Sequence, residues 1–374
     1  MKTGLVLSGG GARGAYQVGV LKAIADLHPK HSSNPFNVIT GTSAGAINAV
    51  GLAASANNFR LGVKKVEKIW TTLNIQRVAK VRGRDLALQA LKLGCSFVHP
   101  RCTQGQSLAL LDSSPLRTLL STTIRYENIQ QRIAAGQLDA VSVTATSYAS
   151  GNSVTFFEGL PELKWWHRAK RVGIPARLSA EHLLASSAIP SIFPAEKIGR
   201  QYFGDGSLRQ LAPLSSAIRL GAERIVVVGV RGKNTTQLSL RRDNPPSMAQ
   251  TMGHIFSSAF IDSLESDVNN VTQVNEVLGI LANEAPDYCP ETAKSLDLLV
   301  IRPSIDLDDL AAQHLHDLPW AFRRVLRGLG AGRAGGGNIA SYVMFEAAFC
   351  CELIQQGYRD TLAEEDMVRN FFNL

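Results

Sequence analysis

Residues 4–8 (GLVLS) are almost wholly apolar and do not alternate, which is the pattern of a strand buried on both faces of a parallel sheet. A glycine-rich break follows. Apolar residues then return at helical spacing through GAYQVGVLKAIADL, residues 14–27. The succession repeats with FNVIT at 36–40, the turn GTSAG at 41–45 and an apolar helix into the mid-fifties. Strand, turn and helix twice over predict an α/β sheet. Residues 59–135 read as mainly helical and include a basic, amphipathic section at 77–94. DAVSVTATSYAS and SVTFFEG predict two strands joined at Gly151-Asn152. HLLASSAIPSIFP (182–194) predicts a short helix ended by proline, and QYFGDGSL a hairpin-like turn. RIVVVGVR (224–231) and LDLLVIRPS (296–304) predict further strands, and the polar 231–247 stretch a loop. An irregular segment at 328–338 precedes one apolar helix, IASYVMFEAAFCCELIQQGY, and no internal repeat of solenoid type is visible.

The 374 residues suffice for a large core, and 45% hydrophobic with 19% charged residues is an ordinary globular composition. A formal net charge of +8 favours anionic partners, although a solvated basic surface accounts for it equally well. No nucleic-acid recognition motif accompanies the charge. The five cysteines, Cys95, Cys102, Cys289, Cys350 and Cys351, make no C-x-x-C pair. They predict free thiols in a reducing, cytoplasmic setting and no structural metal. No apolar run reaches the length of a membrane span; the longest, 44–56, contains Asn48 and reads as a buried helix.

Gly9, Gly11 and Gly14 have the G-x-G-x-x-G spacing of a dinucleotide-binding turn. That reading also requires an acidic residue at the tip of the second strand to hold a ribose. The tip carries Gly41 and Thr42 and no carboxylate, and Asp26 comes too early, so no cofactor is expected. What stands there is G-x-S-x-G: Gly41, Ser43 and Gly45, the pattern of a nucleophile elbow, in which a strand turns sharply into a helix and presents one serine. A serine nucleophile needs oxyanion donors, and the amides of Gly9, Gly10 and Gly11 at a helix N-terminus can supply them if the two strands are neighbours.

None of the eight histidines lies at an obvious strand exit; His314 and His316 read as helical. Asp205, between Gly204 and Gly206, is the better candidate for the base. In a dry site its pKa would rise and it could take the serine proton directly, although a D-G turn is common in its own right.

In GGGARG (9–14), GTSAG (41–45), DGS (205–207) and the ASSAIP…FP block (185–194), the sequence resembles the patatin-like phospholipases, over about residues 4–215. The resemblance implies a three-layer α/β/α sandwich with a mostly parallel central sheet. It implies a catalytic region over 1–305 and a helical C-terminal extension over 306–374 packed on it. It implies a Ser43–Asp205 dyad without histidine or metal, and an oxyanion loop of Gly9, Gly10, Gly11, Ala12, Arg13 and Gly14. Arg13 could face a lipid phosphate or brace the loop. Ser207 stands where glycine is commonest, and LRQLAP lacks the asparagine often found before the proline. The implied activity is hydrolysis of phospholipid or other acyl-ester lipids, phospholipase A in type. The alternatives are a general carboxylesterase or lysophospholipase, a non-catalytic lipid binder of the same fold, and, least favoured, a nucleotide-dependent oxidoreductase. Trp165 and Trp166 among Lys164, Arg168, Lys170 and Arg171 suit a headgroup layer, and the 77–94 section a lid, so peripheral membrane contact is expected; paired core tryptophans and a solvated basic face fit the same residues.

Overall fold

The computed structural model describes residues 1–81, 109–232, 262–284, 295–329 and 337–374, with isolated positions between them. The 77–94 section and the 231–247 and 328–338 segments lie largely outside the described residues, as do Cys95, Cys102 and Cys289.

Strand β1 (Thr3–Leu7) leads through a 3-10 turn at Gly11–Arg13 into α1 (Gly14–Leu27), and β2 (Val38–Thr42) leads into α2 (Ala44–Ala53). Helices α3 (Phe59–Thr71), α4 (Ser114–Thr123) and α5 (Glu127–Ala134) follow. Next come the hairpin β3 (Ala140–Ser147) and β4 (Ser153–Gly159), then β5 (Trp166–Arg168), β6 (Arg171–Pro175) and α6 (Ala180–Ser186). The hairpin β7 (Glu196–Ile198) and β8 (Gln201–Asp205) precedes α7 (Leu214–Arg219) and β9 (Arg224–Val228). Then come α8 (Ser263–Glu284), β10 (Asp297–Ile301), α9 (Leu307–Gln313), a helix at Trp320–Leu329, α10 (Gly337–Val343), α11 (Ala347–Ala363) and a last helix at Glu365–Phe372.

The strands form one sheet in the order β10-β9-β1-β2-β3-β4-β6-β5, with the run from β10 to β3 wholly parallel. Alternate residues of the buried strands face two separate apolar layers. Leu5, Leu7, Ile39 and Val226 pack with α1, α2 and α11, whereas Val6, Val38, Ile225 and Val227 pack with α7 and α8. Helices therefore cover both faces, and the all-apolar strand pattern follows from the lack of a solvated side. The described helices include none long and apolar enough to cross a membrane.

The C-terminal segment shares this core. Phe349, Leu353 and Ile354 of α11 belong to the same buried cluster as Tyr16 and Val20 of α1. The two helices cross at glycines: a Cβ on Gly19 would lie 2.0 Å from the Ile354 carbonyl, and one on Gly357 2.2 Å from that of Tyr16.

Three elements differ from their sequence pattern. Helix α6 stops at Ser186, four residues before Pro190, so the proline does not end it. His314 caps the end of α9, and His316 lies beyond it. The expected single helix over 339–358 is broken at Met344–Glu346, where Phe345 and Glu346 bond back two residues and the Glu346 carboxylate accepts from the Ile75 amide at 3.3 Å. Met344 and Phe345 stay buried through the break, so the apolar periodicity carries no mark of it.

Candidate active site

The turns after β1 and β2 leave the same edge of the sheet because these strands are parallel neighbours, Leu7 opposite Gly41. Ser43, directly after β2, has φ 54° and ψ −124°, a conformation a non-glycine residue adopts only at a cost of about 1–3 kcal/mol. Such strain persists when surrounding structure over-determines it, and here it does. A Cβ on Gly45 would lie 2.2 Å from the Leu7 carbonyl oxygen, and one on Gly41 2.3 Å from that of Gly45. The elbow has no room for larger residues at either glycine.

Strand β3 brings the carboxylate to the serine. Along one side of β3, β2 pairs as far as Thr42 opposite Thr144, and β8 begins at the next position, Asp205 opposite Ala145, running the other way. The C-terminal ends of β2 and β8 therefore meet head to head. Ser186 fills the junction: its hydroxyl donates to the Thr144 carbonyl at 2.6 Å and accepts from the Ser43 amide at 2.8 Å. Gln210 laces the same junction, accepting from the Thr42 hydroxyl and donating to that of Thr144 at 3.3 Å. The LRQLAP segment is thus held by a glutamine.

Asp205 is fully buried. Its amide donates to the Ala188 carbonyl, its Oδ1 accepts from the Ser207 amide at 2.9 Å, and its Oδ2 has no hydrogen-bond partner of standard geometry among the described residues. Burial pushes its pKa up to about 7, with the Ser207 amide, the Ser43 hydroxyl and the Ser207 hydroxyl pulling the other way. The Ser43 hydroxyl is thus among the groups that bear on this buried carboxyl.

The 3-10 turn at Gly11–Arg13 begins across a shared cavity from Ser43; its first N–H groups have no intrahelical carbonyl. Gly11 has φ 57°, and a Cβ there would lie 2.1 Å from the Tyr342 carbonyl oxygen, so the turn is pressed against α10. The loop is laced from behind as well. Gln17 donates to the Ser8 carbonyl at 2.8 Å, and Asn48 donates to the Gly14 carbonyl and to Gln17 while accepting from Trp70 at 2.7 Å. Gly11 and Ser43 open onto one cavity of about 40 Å³, walled by Ile47, Ile69, Trp70, Leu116, Leu119 and Phe345 among others and free of histidine.

A family model described as patatin-like phospholipase matches residues 5–218. The chain belongs to that family. Membership supports an ester-hydrolysing, lipolytic enzyme. The cGAMP-activated phospholipase of Pseudomonas aeruginosa (strain BWHPSA011 / Pa011) is 28% identical over 211 residues, covering 56% of this chain and 53% of that protein. The chain thus matches about half the length of this curated relative. Among solved structures, VipD from Legionella pneumophila aligns with a TM-score of 0.39 at 13% identity, over 98% of this chain and 67% of that one. ExoU of Pseudomonas aeruginosa, in its complex with SpcU, aligns with a TM-score of 0.26 at 14% identity, over 91% and 68%.

In this patatin-like chain Arg13 is buried and its guanidinium is committed inward. It pairs with Asp308, donates to the Ser341 hydroxyl, and lies over the Tyr342 ring, 4.2 Å from its centroid. Both hydrogen-bonding partners come from beyond residue 305. Arg13→Ala is expected to leave Asp308 without its cation and to cost toward the lower end of about 3–5 kcal/mol, since Asp308 is partly exposed. A thermal melt would register this as a loss of several degrees, and an unchanged melt would contradict the bracing role.

His182 and His314 are engaged elsewhere. His182 bonds the Ser179 hydroxyl at 2.9 Å and burial lowers its pKa to about 4; His314 sits between Asp317 and Glu352, which raise its pKa despite burial. The two tryptophans part company. Trp166 stacks on Phe157 at 5.0 Å, whereas Trp165 is 69% exposed near β5, the far edge of the sheet. Ser186 and Gln210 lie in the ASSAIP and LRQLAP segments but had no role of their own in the sequence, and Asn48 and Asp308 belong to no short motif with that function.

Proposed function

We propose that the chain is a serine acyl hydrolase of lipid esters, phospholipase A in type, with Ser43 as nucleophile, Asp205 as its base and the Gly9–Gly14 loop as the oxyanion site. The observation that carries this reading is the head-to-head meeting of β2 and β8, which sets a strained serine beside a buried carboxyl of raised pKa. Asp205 takes the hydroxyl proton as Ser43 Oγ attacks the ester carbonyl. The glycine amides receive the oxyanion that forms, the alcohol leaves with the proton returned by Asp205, and water cleaves the acyl-enzyme by the same route. Arg13 acts as a positioning residue, holding the loop's last turn through Asp308 and Ser341. The apolar wall of the cavity suits an acyl chain over a charged substrate.

A cavity of about 40 Å³ holds little more than a water molecule. Substrate entry therefore requires α4, which carries Leu116 and Leu119, to part from α3, which carries Ile69 and Trp70. Hydrolysis of a phospholipid panel beside short p-nitrophenyl esters tests the reading: release of fatty acid from diacyl phospholipid supports it, and turnover of the short esters alone reduces it to a general carboxylesterase.

A base of pKa about 7 gives a signature. Asp205 must be ionised to accept the proton, so kcat/KM is expected to rise about tenfold per pH unit below 7 and to level off above it. A profile flat from pH 5 to 8, a range of about three units in which histidine also titrates, would remove Asp205 from that role.

A further inference from the structure

A second and much larger cavity, about 410 Å³, opens on the other side of α3. That size lies within the range of about 300–1,000 Å³ usual for small-ligand sites. Lys65 and Lys68 of α3, Arg77 in the short helix Ile75–Val78 that follows it, and Arg125 between α4 and α5 line this groove, and no carboxylate does. Lys65 donates to the Ser55 hydroxyl at 3.1 Å and Arg77 to the carbonyl and hydroxyl of Thr72 at 2.9 and 3.1 Å. No carboxylate pairs with any of the four among the described residues. The one acid within α3, Glu67, is turned toward Lys22 on α1, at 2.7 Å. Four like charges around one concavity repel one another, a cost that a bound anion relieves. Arginine forks beside lysine ammoniums suit phosphate oxygens in particular.

The groove has a wall in common with the cavity at Ser43: Ile69 and Leu119 line both. We propose that the groove binds a phosphate-bearing anion, and that its occupancy sets the spacing of α3 and α4 and hence the width of the cavity beside Ser43. The first half stands on the cations and the concavity alone; the second rests on the acyl-hydrolase reading. The phosphate has two sources of the same chemistry, the headgroup of an anionic lipid or a soluble phosphate compound, and the groove's apolar floor at Val66, Ile69 and Leu119 accommodates the uncharged part of either.

Inorganic pyrophosphate titrated by calorimetry and co-sedimentation with phosphatidylcholine vesicles, with and without phosphatidylglycerol, separate the two. The wild-type chain is compared with Lys68→Glu/Arg125→Glu at one fixed ionic strength. Pyrophosphate binding that weakens about tenfold or more in the variant supports the site with a soluble ligand. No pyrophosphate binding, with sedimentation on phosphatidylglycerol vesicles lost in the variant, supports it with a headgroup. A wild-type chain that binds neither probe, or a variant that binds as well as wild type, overturns the proposal. Lys68→Gln/Arg125→Gln replaces the charge-reversed pair if the latter does not melt cooperatively. Coupling is read from p-nitrophenyl ester turnover: the bound probe is expected to change the wild-type rate at least about twofold and the variant rate not at all. A rate indifferent to a bound probe overturns the coupling. Because the binding arms need no turnover, they stand or fall separately from the hydrolase reading.

Discussion

Replacing Ser43 by alanine is expected to lower kcat/KM for ester hydrolysis by at least about 10⁴-fold, the scale on which loss of an activated nucleophile acts. Alanine has only to keep a backbone already fixed by Gly41, Gly45 and the Ser186 bond to the Ser43 amide, so the protein should still melt cooperatively. The control is close by. Ser187 lines the same cavity, and its hydroxyl is buried without a hydrogen-bond partner among the described residues. It lacks the strained elbow, and its hydroxyl is not among the groups that act on Asp205. Ser187→Ala should therefore stay within a few-fold of wild type. If the two variants exchange phenotypes, the nucleophile has been misassigned.

Asp205→Asn should divide activity from stability. Removing the base costs about 10²–10⁴-fold in kcat, the usual contribution of general base catalysis. The amide keeps the Oδ1 that accepts from Ser207, and its NH2 takes the place of an oxygen with no hydrogen-bond partner of standard geometry among the described residues. The folded-state pKa of about 7 lies above the ordinary 3.8, so between those values the folded protein holds a proton that the unfolded chain has lost. Stability therefore falls as pH rises from about 4 to about 7 and stays low above that. At about 1.4 kcal/mol per unit the penalty amounts to a few kcal/mol at pH 8. Asp205→Asn should thus raise the melting temperature at pH 8 and lose that advantage at pH 4. An equal change at both pH values would detach the effect from ionisation of Asp205.

What the sequence made legible follows from where the constraints lie. The elbow and the Asp-Gly turn are local: small residues are demanded by carbonyls a few ångströms away, and the demand is written as glycine spacing. The two repeats of strand, turn and helix predicted an α/β sheet but left the adjacency of β1 and β2 as a condition, which the structure meets. A bracing role for Arg13 stood beside a lipid-phosphate role, and the choice was not legible because the partners Asp308 and Ser341 are 295 and 328 residues away and neither lies in a recognisable motif. The break at Met344–Glu346 was invisible for another reason: Tyr342 and Val343 before it and Met344 and Phe345 within it are all buried, so apolar periodicity runs into a bend it cannot record. Trp165 and Trp166 looked equivalent as a pair. Only the pairing of β5 with β6 separates a ring stacked on Phe157 from one left in solvent.

The most direct measurement is the intact mass of the protein after incubation with a fluorophosphonate, followed by peptide mapping, in wild type, Ser43→Ala and Asp205→Asn. One adduct is expected in wild type, on the peptide containing Ser43, with none in Ser43→Ala and labelling slowed by about 10²-fold or more in Asp205→Asn. An adduct on any other residue, or labelling of Asp205→Asn at the wild-type rate, would contradict a serine activated by that carboxylate.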